Sequence, residues 1–77
     1  MTRKEMLEEL DRMFYLEPGT LTGAEKLKDI SYWDSMAVLT FMSLLDERAG
    51  VTISPEAIVQ CVTTGDLAEL GAPGSAA

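Results

Sequence analysis

The 77 residues contain no histidine, one cysteine, one tryptophan and only six basic side chains. Without histidine, the commonest general base and metal-binding imidazole is missing, and Cys61 has no imidazole to activate it. A single cysteine rules out a disulfide within the chain. No stretch approaches the ~18 uninterrupted apolar residues of a membrane span. The first residues, Met1-Thr2-Arg3-Lys4-Glu5, turn acidic at once and lack the apolar core of a secretory signal. These features give the cytoplasm as the expected compartment. No glycine-rich phosphate loop, metal-ligand cluster or alternating-acid calcium loop is visible, and no internal repeat.

Acid is abundant: thirteen Asp and Glu give a formal charge of −7. Beyond Ser35 the acids are Asp46, Glu47, Glu56, Asp66 and Glu69, with Arg48 the only base. Such a surface is repelled by nucleic acid and by anionic membranes, and it steers encounters with basic patches on protein partners. The length allows one small domain with a thin core.

The pattern of apolar residues predicts an all-α fold, a small four-helix bundle with a long first loop. Thr2 with Glu5 has capping-box spacing, and Met6, Leu7, Leu10, Met13 and Phe14 line one face of a first helix. Glu8, Glu9, Asp11 and Arg12 are expected on the opposite, solvent side, and Pro18-Gly19 is the expected stop. Residues 17–34 read as a long connection held by Leu21, Leu27, Ile30 and Tyr32 or Trp33, with Trp33 favoured as an anchor. Asp34-Ser35 directly precedes a periodic segment and reads as a helix start, with the helix running from about Ser35 to Ala49 and Gly50 as its stop.

In this second helix Val38, Phe41, Met42, Leu45 and Ala49 form the inward stripe. Met36, Thr40, Ser43 and Glu47 form another, with exposed Met36 a contact for a partner. Val51-Thr52-Ile53 reads as an extended linker, and Ser54-Pro55-Glu56 as cap, first-turn proline and acid of a short helix Pro55–Cys61 with Ile58 and Val59 or Val62 inward. Cys61 reads as a small buried hydrophobe. Thr63 and Asp66 start a last helix with Leu67 and Leu70 toward the core, giving a domain over 1–70 and a disordered tail over 71–77.

One arrangement carries chemistry. A helix N-terminus offers unpaired N–H groups and partial positive charge, so a phosphate ester on Ser35 would sit where both favour it. Asp34-Ser35-Met36 resembles the Asp-Ser-Leu attachment motif of the acyl carrier protein family, with Met36 in the leucine place. From Asp34 to Leu67 the order of serine, helix, β-branched linker, proline-opened helix and Thr-Thr restart is similar to that family without a gap.

The resemblance implies that Ser35 carries 4'-phosphopantetheine from coenzyme A and that Asp34 helps a phosphopantetheinyl transferase recognise it. It implies partner contacts at Met36, Asp46 and Glu47, beside Thr40 and Ser43 on the same helix. It places Val38, Met42, Leu45, Ile53 and Ile58 around a region that shelters an acyl chain. Its partners would be that transferase and acyl-loading and acyl-transferring enzymes with basic docking patches, met by a monomer, with no metal and no catalysis by the chain itself. Ala37 and Thr40 stand where fatty-acid-synthesis members usually carry acids, and Met36 is shared with D-alanine carriers, which implies a specialised carrier. Acyl cargo in fatty acid or polyketide biosynthesis is the first expectation. An aminoacyl, D-alanyl or peptidyl carrier, or an unmodified acidic helical adaptor, are the alternatives.

Overall fold

The structure is a computed structural model, and it describes residues 1–73. Among them are four α-helices and no strand: α1 (Arg3–Met13), α2 (Ser35–Leu44), α3 (Pro55–Val59) and α4 (Thr64–Gly71). This is the expected all-α four-helix bundle with a short third helix. One core, built on Met6, Leu10, Phe14, Phe41, Leu45, Ile58 and Leu67, joins all four helices.

Each helix starts where a local cap directs it. Thr2 and Glu5 form a reciprocal capping box at α1, and Thr63 and Asp66 form another at α4. Ser54 caps α3, whose first residue is Pro55. The helical course of α2 continues through a π-helical turn over Leu45–Ala49 and stops at Gly50, which adopts φ +66°. The span Ser35 to Ala49 is therefore helical as expected, with its last turn widened.

The first helix ends earlier than Pro18-Gly19 suggested. Phe14 is its C-cap, and Tyr15 turns the chain at φ +62°. Tyr15 N–H donates to Arg12 O (3.2 Å) and Leu16 N–H to Asp11 O (2.8 Å). This is a Schellman closure with tyrosine in the position that glycine usually fills.

Two acids expected on the solvent side of α1 are buried. Glu9 is held by Arg12 Nη1 (2.6 Å) and by Arg48 Nη2 (3.1 Å), which ties α1 to the end of α2. Asp11 is wholly buried: Oδ2 accepts from Gly19 N–H (2.8 Å) and Oδ1 from Leu21 N–H (3.0 Å). The long connection is thus organised by a carboxylate as well as by Leu21 and Leu27, both buried. A 3-10 turn over Leu27–Asp29 completes it.

A second carboxylate fastens the same connection to α4. Glu25 accepts from Thr22 N–H, Gly23 N–H and the Thr64 hydroxyl, at 2.8–3.1 Å. Burial raises its pKa, but these donors outweigh that effect and hold it at about 2. Backbone pairs Leu27 N–H to Val62 O (2.8 Å), Thr64 N–H to Glu25 O (2.9 Å) and Gly65 N–H to Gly23 O (2.9 Å) complete the seam.

Two further expectations change. Val59 and Val62 are both exposed, so Ile58 alone carries α3 into the core. A helix of five residues has only one inward position per turn. At the C-terminal end, Gly71 closes α4 and both it and Ala72 are buried, although the sequence offered nothing there to bury. Gly71 lies close to Met6 and Leu45, where a side chain would have no room. Residues 74–77 of the expected tail lie outside the described residues.

Candidate functional site at the start of α2

Trp33 fixes the approach to the site. Its ring packs edge-on against Phe14 (centroids 6.2 Å apart) and Phe41 (6.3 Å). As expected, it is the loop anchor, half-buried against the core, and Tyr32 is exposed. With the indole pinned, the next two residues are delivered to the surface at a defined point. Asp34 takes the N-cap position, its Oδ1 accepting from Ala37 N–H (2.9 Å), and its backbone carbonyl accepts from Val38 N–H (3.1 Å).

Ser35 is the first residue of α2 and is exposed. Asp34 satisfies one N–H of the first turn, whereas those of Ser35 and Met36 have no partner within the helix. A phosphate esterified to the Ser35 hydroxyl would find these donors and the positive end of a ten-residue helix beside it. The local chemistry therefore fits a phosphodiester at this position.

The expected partner contacts share one exposed helical surface. Met36 is 70% exposed, and Thr40, Ser43, Asp46 and Glu47 are all exposed. Thr40 Oγ1 donates to Met36 O (3.0 Å), one turn back on the helix. Leu39 is also exposed, and no sequence argument singled it out.

The expected acyl-lining residues occupy a different setting. Leu45 and Ile58 are wholly buried members of the common core, and Val38, Met42 and Ile53 are partly buried against it. They do come together, as side chains packed into the core. Cys61 is also packed against this core and its thiol donates to Ala57 O (3.6 Å). Burial, then the charge of Asp66, push its pKa up, which keeps it protonated and unreactive.

A surface groove adjoins the start of α2 on the side facing α1. Met13, Tyr15, Tyr32, Asp34, Met36, Ala37 and Thr40 line a cavity of about 190 Å³. Tyr15 and Tyr32 meet edge-on there at 5.4 Å. Another cavity, about 290 Å³, lies between α1 and residues 19–21, with Arg3 and Lys4 among its lining residues and none from α2. The tyrosine pair escaped the sequence reading, since the two residues lie seventeen positions apart and only the Schellman turn brings Tyr15 round.

Together, these features describe a small helical bundle in which Ser35 is exposed as the first residue of a helix. A family model described as phosphopantetheine attachment site matches residues 6–70, and the chain belongs to that family. Its prosthetic group is covalently attached 4'-phosphopantetheine. Searches of curated proteins and of solved structures each returned no match. Among the described residues no group of side chains is arranged to hold a metal ion, and no helix is long and apolar enough to cross a membrane.

Proposed function

We propose that the chain is a carrier protein whose Ser35 bears the 4'-phosphopantetheine arm and whose cargo is an acyl group held as a thioester. The observation that supports this most directly is Ser35 itself, exposed as the first residue of α2 and inside the matched span. The arm supplies a terminal thiol able to form that thioester. The chain's own residues fix where the arm begins. Asp34 holds the first turn, Trp33 anchors the approach, and the N–H groups of Ser35 and Met36, which have no partner within the helix, would be donors for the phosphate. In the transfer the Ser35 oxygen forms a bond to the pantetheine-side phosphorus of coenzyme A, the pyrophosphate P–O bond breaks, adenosine 3',5'-bisphosphate leaves, and the hydroxyl proton passes to a base of the transferase.

Met36, Thr40, Ser43, Asp46 and Glu47 are the proposed docking stripe. Their exposure and the acidic balance of the chain suit weak, reversible contact with basic patches on successive enzymes. Tethering raises the cargo's effective concentration at each of them without new contacts. The chain contributes no catalytic group of its own in this reading.

The test is intact mass after incubation with a broad-specificity phosphopantetheinyl transferase and coenzyme A. The wild type gains one arm, and Ser35→Ala gains nothing while retaining its helical spectrum. A wild type that stays unmodified would return the chain to the adaptor reading.

A further inference from the structure

We infer that the groove between α1 and the start of α2 is the resting site of the cargo on the loaded arm, and that it selects a neutral acyl group the size of one ring. The inference rests on the attachment of the arm at Ser35.

Three observations lead there. First, the expected shelter is filled, because Leu45 and Ile58 have no exposed surface and Val38, Met42 and Ile53 pack on the same core. Second, the groove is open, and Asp34 and Met36, the two neighbours of Ser35 in the chain, form part of its wall. An arm leaving Ser35 can fold back over Met36 into it.

Third, Tyr15 is 82% exposed and adopts φ +62°, a conformation that side chains other than glycine disfavour. The turn closes α1, a task that glycine would perform without the conformational cost. Tyrosine in that position also sets an aromatic ring against Tyr32 at the groove's edge.

Size and lining narrow the ligand. An enclosed cavity of about 150 Å³ accommodates a benzene-sized molecule, so this open groove of about 190 Å³ has room for a single substituted ring or a short branched acyl group. A long alkyl chain would protrude into water. Two tyrosine rings offer edges and faces to a planar group, and the Tyr and Thr40 hydroxyls offer hydrogen bonds. The Asp34 carboxylate disfavours cargo with a free carboxylate, such as a malonyl group, and favours a neutral hydroxyl substituent.

The test uses the full chain, isotopically labelled and loaded by the transferase from coenzyme A, benzoyl, octanoyl or malonyl coenzyme A. Intact mass is read first, and a failure to load would refute attachment at Ser35, not the groove. On loaded protein, the benzoyl form is expected to shift the amide signals of Tyr15, Tyr32 and Thr40 beyond the form with a bare thiol, and to show ring contacts to both tyrosines. Malonyl is expected to leave those signals at their bare-thiol positions. Tyr32→Ala and, separately, Tyr15→Asn should each reduce the benzoyl shifts at the remaining groove residues at least twofold while loading continues. Benzoyl shifts falling instead on Val38, Met42 and Ile58, or groove shifts no larger than those of the bare arm, would overturn the inference. Equal groove shifts with octanoyl would overturn the size selection.

Discussion

Replacing Asp11 by alanine removes a side chain that is wholly enclosed yet makes no contact with any ligand region. Its two oxygens accept from Gly19 and Leu21 N–H across eight and ten residues of chain. A hydrogen bond to a charged acceptor contributes about 1.5–3 kcal/mol, and a buried donor left unpaired costs about 1–3 kcal/mol. Leu21 N–H is buried and carries the full cost, whereas the part-buried bond at Gly19 can be replaced in part by water.

The expected loss is about 2–4 kcal/mol. Against a total of about 4–11 kcal/mol for a domain of this length, that is a large fraction. Urea denaturation with a slope near 1 kcal/mol/M should show the midpoint falling by about 2–4 M. The melting temperature should fall by about 8–32 °C. Asp11→Asn keeps one acceptor oxygen and should lose about half as much. If Asp11→Ala moved the midpoint by less than about 0.5 M, the apolar anchors Leu21 and Leu27 would suffice for the loop, and the account of Asp11 would be wrong.

Acid should unfold the protein through a definable window. Glu25 titrates near 4.5 when unfolded and at about 2 when folded, so its stabilisation is present above 4.5 and is lost as the pH falls toward 2. Glu5, lowered by the Thr2 backbone N–H, and Asp66, lowered by those of Val62 and Thr63, add to the same limb. Melting temperature followed from pH 6 to pH 2 should therefore decline, with a visibly shallower decline in Glu25→Gln. Gly65→Ala would place a methyl 2.7 Å from Gly23 O, a backbone atom that cannot swing away, and should cost about 1–3 kcal/mol in a thermal melt. Asp34→Ala removes the cap of α2 and should cost about 1 kcal/mol in the same melt.

What the sequence revealed follows from the range of each interaction. Thr2 with Glu5, Thr63 with Asp66 and Ser54-Pro55 act over three residues, and each started a helix where its spacing placed it. The helix beginning at Ser35 and the anchoring of Trp33 were likewise readable, one from a local cap and the other from an aromatic beside a periodic segment. Asp11 was misread because a carboxylate on the polar side of a helix looks solvated until a distant loop folds over it. Glu9 was misread in the same way, since one of its partners, Arg48, is thirty-nine residues away. Proline and glycine suggested too late an end for α1, because a tyrosine took the left-handed position four residues after Asp11. Around the serine, the residues on one helix were legible, whereas the groove was not. It depends on how α1 and the long connection close against α2.

The sole indole of the chain lies two positions ahead of Ser35, wedged between two phenylalanine rings. Its emission should therefore act as a built-in optical gauge. Loosening of the bundle would shift the colour toward red as water reaches the ring, and a group settling nearby would alter its brightness without any label being added. The molecule thus offers its own signal for following, in real time, both its integrity and the comings and goings at its working end.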